Sequence, residues 1–128
     1  ASHDTILVQI NPIVRAEVPR SARDIINRLN EVSFNAPLLK ELRMMALLTR
    51  TADPGQGEGA LWANMRIHRI ATDRVTELGA SSKLITEWRF LTALRDEGRR
   101  TAGLFLDAHG ADLGRRSTLD LDALLETV

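Results

Sequence analysis

Cysteine is absent from this 128-residue chain, which excludes disulfides, a thiolate nucleophile and zinc sites of the Cys type, and fits a reducing, cytoplasmic setting. Net charge is absent too. Seventeen basic residues balance seventeen acidic ones, so the broad attraction that drives non-specific binding to a phosphate backbone is missing and nucleic acid is not an expected partner. No apolar run approaches the roughly 20 residues that span a bilayer, and no charged-then-apolar leader opens the chain. Local metal-ligand spacing is lacking: His3, His68 and His109 stand far apart with no companion one helical turn away, so no metal or cofactor is expected. What is present is hydrophobic bulk. Apolar residues make up 44% of the chain, too many for disorder and enough for a single unit spanning 1–128.

Residues 5–10 read as a strand, ended by Asn11-Pro12, and Ile6-Leu7-Val8 is apolar on consecutive positions, as a strand covered on both faces would be. Such a strand belongs in a larger, mostly parallel sheet. Together with the missing initiator methionine, it predicts a piece of a longer protein. Ser21 is a good N-cap with Asp24 three residues on, and Ala22, Ile25, Ile26, Leu29 and Val32 form one apolar stripe. Phe34, Leu38, Leu42 and Met45 fall on nearly the opposite side, with Pro37 at the changeover. This pattern predicts a helix that kinks or breaks near Pro37 and runs on to about Arg50. Asp53-Pro54-Gly55-Gln56-Gly57-Glu58-Gly59 predicts a mobile loop over 52–61, and with no preceding strand or closing Lys-Ser/Thr pair it does not read as a phosphate loop.

Residues 64–70 alternate Met65 and Ile67 against Arg66 and His68, which predicts a second strand paired with the first. A short helical piece over Thr72–Leu78 follows. A long helix is expected from Thr86 to His109, with Leu91, Leu94, Gly98, Ala102 and Phe105 on its apolar side and Gly110 as its stop. Gly98, more than Gly103, suggests close approach by another element. An extended piece from Ser117 leads to a last short helix capped by Asp120 or Asp122. The fold class is therefore mainly α with a small β component, an α+β fragment: two short strands, a kinked helix pair and a long C-terminal helix.

No side chain qualifies as catalytic, cofactor-binding or metal-binding on its own pattern. Of the six serines only Ser81 has a glycine two positions before it, and Lys83 stands where the second glycine of a nucleophile elbow belongs. Ser81 and Ser82 read as helix-start caps, and a Ser-Lys arrangement with Lys83 lacks any sign of the burial that activates a lysine. Asp96-Glu97, Asp120 and Asp122 read as surface or capping carboxylates, and Arg99-Arg100 and Arg115-Arg116 as solvated or salt-bridged pairs. Trp88, with Phe90 and Leu91, is expected to anchor the long helix in the core, and Glu87 to pair weakly with Lys83.

Four segments give the chain a family likeness: Ser81-Ser82-Lys83-Leu84-Ile85-Thr86-Glu87-Trp88-Arg89-Phe90-Leu91, Asn27-Arg28-Leu29-Asn30-Glu31-Val32-Ser33-Phe34-Asn35, Val8-Gln9-Ile10-Asn11-Pro12 and Arg116-Ser117-Thr118-Leu119-Asp120-Leu121. They resemble the C-terminal flank of the patatin-like phospholipases, bacterial acyl hydrolases built around a Ser-Asp dyad. That family's G-x-S-x-G and Asp-Gly motifs do not occur here. The resemblance implies a non-catalytic C-terminal segment that completes an α/β/α sandwich in a lipid-degrading parent hydrolase acting on lipid acyl esters. A free-standing helical binding or dimerisation module is the alternative, and apolar surface left by truncation predicts a homodimer.

Overall fold

The computed structural model of the chain describes residues 3–55, 57–72, 74, 78, 82 and 84–127. Its elements run β1 (Asp4–Val8), α1 (Ala22–Thr51), α2 (Glu58–Ala63), β2 (Arg66–Ile70), α3 (Trp88–His109), a 3-10 turn (Gly110–Asp112) and α4 (Leu121–Glu126). The mainly helical class with one small sheet is thus observed. β1 and β2 pair in parallel with Asp4 opposite Arg66, Ile6 opposite His68 and Val8 opposite Ile70. A parallel pair needs a crossover, and α1 with α2 supplies it.

Successive side chains of a strand point to opposite faces, so the burial of both Ile67 (3% exposed) and His68 (0%) means that β2 is covered on two sides. On one, Ile67 shares a small cleft with Ala46 and Thr49 of α1; on the other, His68 meets the Phe105 ring of α3 edge-on at 6.2 Å. Residues 117–119 close the free edge of β2. The Ile67 N–H donates to Ser117 Oγ at 3.1 Å, and the Ile67 carbonyl accepts the Thr118 and Leu119 N–H groups at 3.1 and 3.0 Å. An unpaired strand edge invites foreign pairing, and this clasp removes one. β1 is different: its outer edge pairs with no strand among the described residues, and Ile6 and Val8 are 45% and 65% exposed.

Of the kink or break expected near Pro37, a break does not occur. α1 runs unbroken for 30 residues with Pro37 inside it. The reason lies on its inner face, where Glu31, Asn35, Leu42 and Ala46 are buried at spacings of four, seven and four. Those residues share one side only if the helical register continues through the proline, and tertiary anchoring on both sides of it outweighs the one backbone hydrogen bond that proline removes. Ser21 caps the start by accepting the Asp24 N–H, as expected. Opposite the buried face, Ile26, Leu29, Met44 and Leu47 remain exposed, and Ile25 and Val32 are exposed along its flank, so much of the apolar surface of α1 is unused.

Trp88 also departs from expectation. Its ring is 76% exposed, at the very start of α3, and Phe105 is the buried residue of that helix. Among the described residues Gly98 has no neighbour within reach of an added Cβ, so the close approach inferred for it is not seen there. The glycine loop is shorter than predicted because α2 begins at Glu58; Gly59 is needed there, since a Cβ would sit 2.6 Å from the Asp53 carbonyl oxygen. At its other end α3 stops where expected, at His109 with Gly110 as its C-cap, and a 3-10 turn follows. The helical piece expected over Thr72–Leu78 falls mostly outside the described residues.

Candidate functional site

The polar centre of the molecule is built from both strands and the segment after α3. Asp4, at the start of β1, accepts two hydrogen bonds from the Arg66 guanidinium at 3.0 and 2.9 Å, one from the Gly114 N–H at 2.9 Å, and lies 3.1 Å from His68 Nε2. Gly114 presents that N–H from a left-handed backbone (φ 77°), which glycine adopts without the Cβ clash other residues meet. Arg66 first, then Gly114 and His68, hold the Asp4 carboxyl well below the usual carboxylate range. His68 thus has the Asp4 carboxylate at Nε2 and the Thr118 hydroxyl 3.0 Å from Nδ1.

Carboxylate, imidazole and hydroxyl in this order superficially match a hydrolase triad. The geometry argues for a tie instead: His68 is fully enclosed, and Asp4 is saturated by a bidentate arginine. One hydrogen-bonded chain therefore joins β1, β2 and the C-terminal segment.

Beside this centre, at the carboxyl end of β2, an open cleft of about 490 Å³ separates the strand from α3. Ile70, Leu104, Phe105 and Ala108 form its apolar wall, with Arg74 and Arg100 at its rim. Glu97 organises that rim. It accepts two hydrogen bonds from Arg100 at 2.9 and 2.7 Å, one from Thr72 at 2.5 Å and a longer one from Arg74 at 3.4 Å. Arg100 and Thr72 draw its carboxyl down to about 2. At the end of α3, Asp112 is likewise lowered by Arg116 and then by His109.

All three depressed carboxylates act in one direction on stability. Each is ionised in the folded protein at pH values where its unfolded counterpart has begun to protonate, so folding is favoured fully above about pH 4.5 and loses that support as pH falls toward 2. Melting temperatures measured from pH 7 to 2 should be flat at first and then fall through this window. In Glu97→Gln the acid fall should be shallower than in the native chain, and an equal slope would remove Glu97 from the account.

The sequence candidates fare unevenly. Ser81 and Lys83 lie outside the described residues, so the proposed pairing of Lys83 with Glu87 does too. Ser82 uses its carbonyl to accept the Ile85 N–H, and Glu87 occupies the N-cap of α3 without a side-chain cap. Asp120 caps α4 by accepting the Asp122 and Ala123 N–H groups, and Asp122 pairs with Arg50. Asp96 pairs on the surface with Arg95, whereas its neighbour Glu97 is the hub of the rim. His109 stacks obliquely on Phe105 and faces Asp112 at 3.4 Å. Among the described residues no group of three or more histidine or acidic side chains is placed to hold a metal ion, and no helix is long and apolar enough to cross a membrane.

Nothing local in the sequence marks Asp4, Thr118 stands there only within a family-like segment, and His68 only on a strand face. A signal existed: His68 follows Ile67 in a strand with both faces covered, but its partners depend on a parallel register that only the folded chain reveals. Comparison with protein-family models, with curated proteins and with solved structures finds no match to this chain.

Proposed function

We propose that this chain is the non-catalytic C-terminal segment of a patatin-like lipid acyl hydrolase, a cytoplasmic enzyme whose remaining part supplies the serine and aspartate of the dyad. The observation that supports this reading most is β1. Strands of parallel sheets are covered on both faces and paired on both sides unless they lie at an edge. Here β2 meets that standard, while β1 leaves Ile6 and Val8 exposed and its outer edge open among the described residues. Further strands added at that edge would extend the sheet, with α1 on one face and α3 on the other.

The family-like segments also have coherent positions. Arg28, Glu31 and Asn35, all within 27–35, grip the coil that follows β1: Glu31 accepts from Arg15, Arg28 reaches the Ile13 carbonyl, and Asn35 Nδ2 donates to the Pro12 carbonyl at 2.8 Å. They fix how the chain leaves the sheet after the strand that resembles the one following the family's catalytic aspartate.

Two measurements test the proposal. The coding sequence upstream of Ala1 should continue in frame through G-x-S-x-G and Asp-Gly. The 128-residue chain should not turn over a short-chain nitrophenyl ester, whereas the protein extended through those motifs should; turnover by the short chain that is lost in Ser81→Ala or Ser82→Ala would overturn the reading. A helical dimerisation module is the second reading, favoured by the exposed α1 stripe. Its mark would be a dimer in light scattering that Leu29→Glu dissolves, with no in-frame motif upstream.

A further inference from the structure

We infer that the cleft between β2 and α3 binds a single-chain anionic amphiphile, its acyl chain along Leu104 and Phe105 and its carboxylate or phosphate head at Arg100. Three observations lead there. The cleft's volume of about 490 Å³ falls within the range of about 300–1,000 Å³ usual for small-molecule sites. It lies beyond the carboxyl end of a strand in a parallel sheet, the place where open α/β folds receive ligands.

Its lining is divided in the way an amphiphile requires. Ile70, Leu104, Phe105 and Ala108 present a hydrocarbon wall, and Leu104 is exposed along it, so apolar surface there is still in water. At the rim two guanidinium groups face one carboxylate, Glu97. Arg69 lines the cleft as well, so positive charge there exceeds the single carboxylate. A guanidinium has five N–H donors, and Arg100 gives two hydrogen bonds to Glu97, so donors remain for a second oxyanion. No acidic side chain lines the cleft among the described residues. A neutral chain would leave the guanidinium groups unused, and a bare anion would leave the hydrocarbon wall wet.

The cleft is lined by β2, the residues that follow it, α3 and Thr118, all of this chain, so this inference is independent of the hydrolase reading; loss of one leaves the other standing. Calorimetric titration of the purified chain with decanoate and with decyl phosphate tests it, alongside decanol as the neutral chain and inorganic phosphate as the bare anion. Dissociation constants on the order of 10–100 μM are expected for the two amphiphiles, and weaker than about 1 mM for inorganic phosphate. Leu104→Glu should weaken both amphiphiles at least about tenfold, while Arg100→Gln should weaken them about tenfold and leave decanol unchanged. A preference for decyl phosphate would assign a lipid phosphate head, and a preference for decanoate a fatty acid. Leu104 is exposed, so its variant tests the site even if loss of the Arg100–Glu97 pair unfolds the chain. Amphiphile binding weaker than about 1 mM would overturn the inference. So would an equal loss in Leu29→Glu, which lies on the exposed stripe of α1, away from the cleft.

Discussion

His68→Ala is expected to lower the unfolding free energy by about 3 kcal/mol, the largest effect of any single truncation considered for this fold. The imidazole is 0% exposed, meets Phe105 edge-on and lies between Asp4 and Thr118. Removing it opens a cavity against the Phe105 ring and takes the ring partner from both Asp4 and the Thr118 hydroxyl at the same time. Phe105→Leu should cost less, because it keeps most of the apolar contact and every hydrogen bond. Urea unfolding monitored by far-UV circular dichroism measures both, and a loss below about 1 kcal/mol for His68→Ala would show that the centre relaxes around the gap.

The second large effect belongs to Glu31. Buried on the inner face of α1, it accepts from Arg15 at 2.8 and 2.6 Å and from Arg28 at 3.3 Å. Glu31→Ala should cost about 2 kcal/mol, because it removes the carboxylate that Arg15 and Arg28 share and loosens the coil after β1. Glu31→Gln keeps one acceptor oxygen and should fall between. Both guanidinium groups retain some access to water, which limits the penalty below that of a fully enclosed pair. Amide exchange should report the same event locally, with faster exchange near Ile13 in the variant. Unchanged protection there would mean that Asn35 alone holds the coil.

Elements were legible in the sequence where their signals are local. The Ser21 cap, the alternation through Ile67 and His68, and the length of the helix ending near His109 depend on neighbours within a few residues, and each appears close to its expected place. Errors arose where the outcome depends on partners distant in sequence. A break stayed open at Pro37 beside a kink because the local cost is visible and the burial of Asn35 and Leu42 on either side of it is not. Trp88 read as core because a large ring in an apolar run is most often buried, whereas here it precedes the part of α3 that reaches the sheet. The site followed the same rule. Glu97 looked like one of many surface carboxylates until Thr72, Arg74 and Arg100 converged on it, and Asp4 meets Gly114 across 110 residues.

That last separation has a consequence for the order in which the molecule is made. β1 and the helix that follows are synthesised before the segment that closes them, so the carboxylate at position 4 waits for Gly114, and the free edge of β2 waits for residues 117–119. Contacts of such high sequence separation form late and slowly, since a long loop must close before any of them stabilises the chain. During elongation the two strands therefore spend most of their time as an open, unclasped pair with His68 still wet. A nascent chain stalled before Gly114 would contain every residue of the sheet and still lack the means to close it.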